Sequence, residues 1–322
     1  MRHVVILAFD AVQILDVTGP AAAFGAASDA CPEPAYAVTV ASAHGGEVRS
    51  NCGVRLCAIA VGDIDPATVD LLLIAGGDDV GLRALIADGP ARAWTERAIA
   101  AAPRYGSICS GAFVLAAWGM LDGRKVATHW RATAELARRF PRLTVDADAL
   151  YVEDGPVWTS AGITTGIDMS LAIVERDHGA ALATAVARRL VLHARRPGHQ
   201  SQFSALLEAQ AAAASGGYAG LIAWMGENLD APLDVEALAA RASQSPRSFH
   251  RNFRAATGKG PAAFVTTLRL DCARTLIEAG QPLKRVAVAS GFGSPDRLAR
   301  AFSKAFGLGP AAYAAAAVRK RG

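Results

Sequence analysis

Residues 245–264 read SPRSFHRNFRAATGKGPAAF, and residues 294–313 read SPDRLARAFSKAFGLGPAAY. The two stretches are offset by forty-nine residues and match at ten of twenty positions. Each follows a short apolar helical pattern, so the repeated unit is a helix, a tight turn and a second helix. That geometry lays a helix in a DNA major groove, and it also occurs as plain scaffold. Charge separates the two readings. Residues 216–322 hold fifteen Lys and Arg against seven Asp and Glu, whereas the preceding 215 residues hold eighteen against twenty-two. A basic C-terminal third on a mildly acidic body gathers phosphate and favours a nucleic-acid partner.

Within the first copy, Asp234 is the expected N-cap of a helix Val235–Arg241 whose Leu238 and Ala239 point inward. Ser245 caps the next helix, and Pro246 occupies its first turn, where a missing N–H costs nothing. Phe249, Phe253 and Ala256 form the buried stripe, which leaves Arg247, His250, Arg251 and Arg254 off it. In the second copy Leu298, Phe302 and Phe306 are the stripe, with Asp296, Arg297, Arg300 and Lys304 outside. Leu268, Cys272 and Leu276 share a face of the helix expected between the units. An outward Arg can reach guanine edges or phosphates. Arg247, Arg251 and Arg300 are the leading candidates, and His250 either reads a base or shields Phe253.

Upstream, short apolar runs alternate with helical stretches. Strands are expected at 3–9, 36–41, 69–75, 125–128 and 157–160, and helices at 19–29, 82–100, 112–118, 131–140 and 167–194. The runs at 3–9 and 69–75 are almost continuously apolar, as buried parallel strands are. The expected architecture is an α/β three-layer sandwich on a predominantly parallel sheet, followed by an all-α domain with two helix-turn-helix motifs. The expected boundaries are 1–194 for the first domain, 195–216 for an Ala- and Gly-rich linker and 217–322 for the second.

The segment RYGSICSGAF at 104–113 has the form of a nucleophile elbow: a strand, a sharp turn at Cys109, then a small-residue helix. The start of such a helix should lower the thiol pKa. Gly76 and Gly77 end the 69–75 strand and are placed to face the turn with backbone N–H groups. Asp16 follows the first strand, and His129 follows the strand at 125–128. With Ser110 these residues line a candidate pocket at the carboxyl edge of the sheet. A buried structural cysteine is the competing reading of Cys109.

Two resemblances sharpen this picture. The stretches LAARASQSPRSFHRNFRAATGKGPAAF and VAVASGFGSPDRLARAFSKAFGLGPAAY resemble the DNA-binding domain of AraC-type transcriptional regulators. The resemblance implies recognition helices in successive major grooves, with base-reading positions at Arg247, His250, Arg251, Asp296, Arg297 and Arg300. The first turn carries Ser243-Gln244 where that family has a Gly-hydrophobic pair. The stretches LDVTGP, LLIAGG, ICSGAFVLAAWGMLDG, ATHW and VWTSAGITTGIDMSL resemble the DJ-1/PfpI-like class I glutamine amidotransferase fold. Its elbow cysteine corresponds to Cys109, its acidic partner to Asp16 and its nearby histidine to His129. Ser110 stands where peptidase-like members have histidine, and Asp16 where many enzymatic members have Glu.

The domain order resembles the GlxA/FtrA-type family of regulators. It implies a first domain that senses a small metabolite and forms a homodimer, and a second that binds double-stranded DNA. An activator would also contact RNA polymerase. The principal expectation is a non-enzymatic activator of a catabolic operon. The alternatives are a Cys109-dependent hydrolase or hydratase using Asp16 and His129, and a Cys109 redox sensor. Five cysteines without a CxxC pair, scattered histidines and the absence of a long apolar run lead us to expect no disulfide, metal, cofactor or membrane span. A cytoplasmic protein is expected, nucleoid-associated when bound to DNA.

Overall fold

The computed structural model describes residues 1–192, 195–198, 202, 217–278, 280–306 and 308–319. The chain divides into two compact units, Met1–Gln202 and Phe203–Gly322. Most of the linker expected at 195–216 lies outside the described residues.

The first unit begins with β1 (Arg2–Leu7), α1 (Ile14–Asp29), β2 (Tyr36–Ser42), β3 (Gly46–Arg49), β4 (Arg55–Ala60) and β5 (Leu71–Ile74). Next come α2 (Asp79–Ala87), α3 (Gly89–Ala101), β6 (Arg104–Ile108), α4 (Ala112–Ala117), β7 (Lys125–Val126) and α5 (Thr133–Arg139). It closes with β8 (Thr144–Val145), β9 (Tyr151–Asp154), β10 (Val157–Ser160), α6 (Thr165–His178) and α7 (Ala180–Arg189). The main sheet has the order β3-β4-β2-β1-β5-β6-β10-β9. β3 and β9 pair antiparallel at its edges, and the pairs between β4 and β10 are parallel.

Continuous apolar sequence in β1 and β5 follows from burial on both faces. Val5, Leu7, Leu72 and Ile74 pack with Leu82, Trp94 and Phe113, while Val4, Ile6, Leu71 and Leu73 pack with Phe24, Met169 and Val174. Successive side chains of a strand point to opposite faces, so one apolar run feeds two cores. Strand order reverses at β1, between β2 and β5, which opens a crevice at the carboxyl ends of β1, β5 and β6.

Three expectations need correction. The strand expected at 125–128 is the two-residue β7, which pairs with β8 outside the main sheet. The helix expected at 82–100 is divided at Asp88, whose carboxylate caps α3 ahead of Pro90. The helix expected at 167–194 breaks at Gly179, which adopts φ +87.

The second unit is all-helical, and the sequence repeat is a structural repeat. The helix Val235–Arg241 starts at Asp234, whose carboxylate accepts the Ala237 N–H at 2.8 Å, and the helix Pro246–Thr257 starts at Ser245, which caps Ser248. Phe253 meets Phe264 edge-on at 5.3 Å; forty-nine residues later Phe302 meets Tyr313 at 5.1 Å in the same way. Phe249, Phe253, Leu298 and Phe302 are fully buried. The helix Pro261–Glu278 links the motifs. It buries Leu268, Leu270, Ala273 and Ile277, and leaves Cys272 and Leu276 at the margin of the face they were expected to fill.

The departure at Ser243-Gln244 is absorbed locally. Ser243 takes the left-handed conformation (φ +54) that Gly291 takes in the second motif. Gln244 accepts from the Tyr218 hydroxyl at 2.9 Å and from Asn252 at 3.3 Å. A non-glycine residue in that region costs about 1 kcal/mol or more. Ser243→Gly should therefore raise the urea midpoint of the helical transition in the full chain, by the shift that about 1 kcal/mol of added stability produces. A lowered midpoint would show that the serine side chain contributes more than its backbone strain removes.

Candidate functional site

Three chain turns converge at the crevice. Cys109 leaves β6 at φ +56, a left-handed conformation that a residue with a side chain adopts only when its surroundings impose it. Glycines make the approach possible. A Cβ on Gly76 would lie 2.7 Å from Asp16 Oδ2, Cys109 Cβ and Ser110 N, and one on Gly162 would overlap Cys109 Cβ. Gly106 and Gly111 are held just as tightly, against the Trp158 and Ile74 carbonyls.

Asp16 is fully buried at the start of α1. Its Oδ1 accepts the Ile163 N–H at 2.6 Å, and its Oδ2 accepts the Gly76 N–H at 3.0 Å. Burial pushes its carboxyl up to about 6, against the pull of those two N–H groups and of the Cys109 thiol. The carboxyl is therefore mainly ionised at neutral pH, with the thiol donating to it.

The thiol responds in the opposite sense to the expectation. Burial, then the Asp16 charge, push Cys109 up to about 12, with the Ser110 N–H and hydroxyl pulling back. Loss of solvation and a neighbouring negative charge both act against the thiolate. A helix N-terminus offers typically about 0.3–1 kcal/mol. Here it is a three-residue 3-10 turn leading into the six-residue α4. Burial and the carboxylate win, and Cys109 rests as a neutral thiol.

The backbone donors expected to face the turn are also committed. Gly76 N–H serves Asp16 Oδ2, and Gly77 N–H serves Ser110 Oγ at 3.0 Å, whose hydroxyl donates back to the Gly77 carbonyl at 3.1 Å. His129 lies beside the pocket through its neighbour: Thr128 Oγ1 donates to the Cys109 carbonyl at 2.8 Å. The His129 ring is half-buried and tilted against Trp130, its Nδ1 accepts the Arg131 N–H at 3.4 Å, and burial pushes its pKa down.

Sequence reasoning missed the loop at 161–165, whose Gly162 and Ile163 close the pocket from across the sheet. It also missed the segment that leaves this unit. Arg196 donates to both carboxylate oxygens of Asp168 and to Thr164 Oγ1, and Gln202 Nε2 donates to the Thr128 carbonyl at 2.9 Å. Thr164 adjoins Ile163, and Thr128 adjoins His129, so this segment is tied to two pocket loops. Among the described residues no three His, Cys, Asp or Glu side chains group as metal ligands, and no helix is long and apolar enough to cross a membrane.

On the helical unit, Arg247, His250 and Arg251 are exposed on the helix Pro246–Thr257, and Asp296, Arg297 and Arg300 on the helix Pro295–Phe306. Each set lies opposite its buried aromatic stripe. The His250 ring lies over the turn, its Nε2 3.3 Å from where a Cβ on Gly260 would stand.

Residues 2–176 match the DJ-1/PfpI family, and residues 238–316 match a helix-turn-helix domain. The chain belongs to the DJ-1/PfpI family. This DJ-1/PfpI chain is similar over both units to the HTH-type transcriptional regulator CdhR of Pseudomonas aeruginosa, 32% identical over 278 residues, covering 85% of this chain and 80% of that one. It is likewise similar to the HTH-type transcriptional regulator GlxA of Rhizobium meliloti, 31% identical over 286 residues, covering 86% and 84%. A crystal structure of a THiJ/PfpI family protein from Pseudomonas syringae shares the fold, with TM-score 0.55 at 22% identity over 80% of this chain and 91% of that one. The protein is a DNA-binding transcriptional regulator, an N-terminal DJ-1/PfpI domain fused to an AraC-type helix-turn-helix domain, as CdhR and GlxA are transcriptional regulators similar to it over both domains.

Near neutral pH, mass-resolved alkylation should label Cys52 well before Cys109. Cys52 is exposed and its thiol is lowered by the Ser50 hydroxyl at 3.3 Å. Labelling of Cys109 should climb through the alkaline range, and Asp16→Asn should speed it by removing the charge that opposes the thiolate. A Cys109 that reacts ahead of Cys52 at neutral pH would contradict this ionisation scheme.

Proposed function

We propose that this regulator activates a catabolic operon in response to a small metabolite held in the crevice lined by Asp16, Gly76, Gly77, Cys109, Ser110 and His129. The observation that carries a sensing role is the geometry around the sulfur: Cys109 is packed beside the Asp16 carboxylate, and both nearby glycine N–H groups are already bonded. Covalent catalysis needs an activated sulfur and open donors for the developing anion. Binding needs only shape and polarity. A homodimer formed through residues 1–194 would place two DNA-binding domains on one site and make the second engagement intramolecular. Activation then involves contact with RNA polymerase.

The Arg196–Gln202 segment gives the signal a physical route. It bonds to the loops on both sides of the pocket and continues in sequence towards the DNA-binding unit. A ligand that favours one arrangement of those loops would bias this segment by its differential affinity for the two arrangements. Asp168→Asn removes the anionic partner of Arg196. Backbone hydrogen exchange at 161–165 should then quicken in the full chain, and DNA affinity should become less responsive to the metabolite. Unchanged exchange there would remove this route.

For DNA reading, Arg247, His250, Arg251, Asp296, Arg297 and Arg300 present two sets of side chains from two capped, aromatic-packed helices. Genome-wide mapping of bound sites would supply the operator, and the flanking genes would point to the metabolite. On that operator, Arg251→Ala or Arg300→Ala should cost about 1–3 kcal/mol and relax one base pair if the guanidinium is bidentate to guanine. Equal losses on operator and scrambled duplex would reassign the residue to phosphate contact.

A further inference from the structure

The two helix-turn-helix motifs have separate hydrophobic cores. Phe264, Val265 and Leu268 of the linking helix belong to the first core, with Phe249 and Phe253. Leu270, Ala273 and Ile277 belong to the second, with Leu298 and Phe302. The clusters share no residue, and the change-over falls at Arg269. An α-helix rises 1.5 Å per residue, so the eighteen residues of Pro261–Glu278 make a rod about 27 Å long. Each half of that rod is gripped by its own motif.

At the change-over the sequence places a polar knot. Arg269 Nε and Nη2 donate to the Leu229 carbonyl at 3.1 and 2.9 Å, and Nη2 also donates to the Ala231 carbonyl at 3.2 Å. Leu229 packs against the first core, at the turn that follows the helix Ala219–Glu227. From the other side comes Gly291, the left-handed residue (φ +74) in the turn of the second motif. A Cβ there would overlap the Leu229 carbonyl oxygen and lie 2.7 Å from Arg269 Nε. The first motif, the linking helix and the second motif's turn thus meet at one carbonyl.

We propose that Arg269 is a positioning residue for DNA recognition, fixing the tilt of one reading head relative to the other and so the spacing of the two sub-sites that the protein accepts. The proposal rests on the two-headed reading proposed above. Successive base pairs are separated by about 3.4 Å and roughly 35° of helical phase. A head displaced by a few ångströms therefore addresses the neighbouring step. A guanidinium suits this task because its planar fork holds two carbonyls at once, and charge-assisted hydrogen bonds resist distortion more than neutral ones. Leu229 and Ala231 offer only backbone acceptors, so the knot needs the linking helix to supply the donor. Gly291 is needed because any side chain would push the second motif off the carbonyl.

The test uses the full-length protein and a duplex selected by it from a randomised pool. Variants of that duplex carry one or two base pairs added or removed between the two contacted sub-sites. Arg269→Ala should flatten the spacing profile, reducing the preference for native over shifted spacing by about tenfold, with affinity for scrambled duplex unchanged. Arg269→Lys, which keeps one charged donor, should restore part of the preference, and Arg269→Gln less. Thermal unfolding run in parallel identifies any variant that fails to fold. Should Arg269→Ala be such a variant, the Lys and Gln proteins decide the matter. A uniform loss of affinity at every spacing, or an unchanged spacing profile in folded variants, would overturn the proposal. Arg251→Ala and Arg300→Ala on the same duplexes keep the two readings apart. If neither alters base discrimination, the two-headed reading itself has failed, whatever Arg269 does.

Discussion

The crevice depends on the Asp16 carboxylate, which takes N–H groups from two loops on opposite sides of β6. Gly76 comes from the end of β5 and Ile163 from the end of β10, and neither loop bonds the other directly among the described interactions. A buried carboxylate is costly unless hydrogen-bonded, and bonds to a charged group contribute roughly 1.5–3 kcal/mol each. The two bonds lessen the cost of burying that charge without cancelling it, since burial still raises the Asp16 carboxyl. The same charge that holds the loops suppresses the thiolate. The carboxylate thus shapes the pocket and adds to what burial already does to keep its sulfur quiet.

In the helical unit the balance is different. Each motif is self-contained: a capped helix pair and an edge-on aromatic contact are duplicated at an interval of forty-nine residues. Duplication gives two helix pairs without giving their relation, because among the described residues the two cores share no member. The relation is supplied by the linking helix and by the Arg269 knot on the Leu229 carbonyl. Exposed arginines lie on the two outward faces, where the proposed DNA contact would use them for sequence-independent attraction to phosphate.

Much of this was legible in the residues. The continuous apolar runs of β1 and β5, the Ser and Asp caps and the Phe249–Phe253 and Leu298–Phe302 stripes are local patterns, and local patterns determined those elements. The elbow was legible because Gly106, Cys109 and Gly111 sit within six residues. Ile163 and Gly162 were not, because their contribution is a backbone N–H and the absence of a Cβ, which leave no side-chain signature. The ionisation of Cys109 runs opposite to the expectation because the sequence placed Asp16 beside it without showing how deeply the site is buried, and burial is the larger cause. Pro90 and Gly179 did carry break signals, and helical periodicity on either side of each obscured them. The two-residue β7 is too short for its pattern to say which sheet it joins.

The central claim is that the pocket recognises a ligand by shape and polarity, with the Cys109 sulfur dispensable. The direct measurement is a reporter driven by the mapped operator, exposed to metabolites handled by the flanking genes, in strains carrying wild-type protein, Cys109→Ser or Cys109→Ala. Turnover of the same compounds by each purified protein is followed in parallel. Both variants should keep a metabolite-dependent response, with at most a shifted midpoint, and none of the three proteins should consume the compound. Turnover by the wild type, with turnover and response both lost when the sulfur is removed, would contradict it.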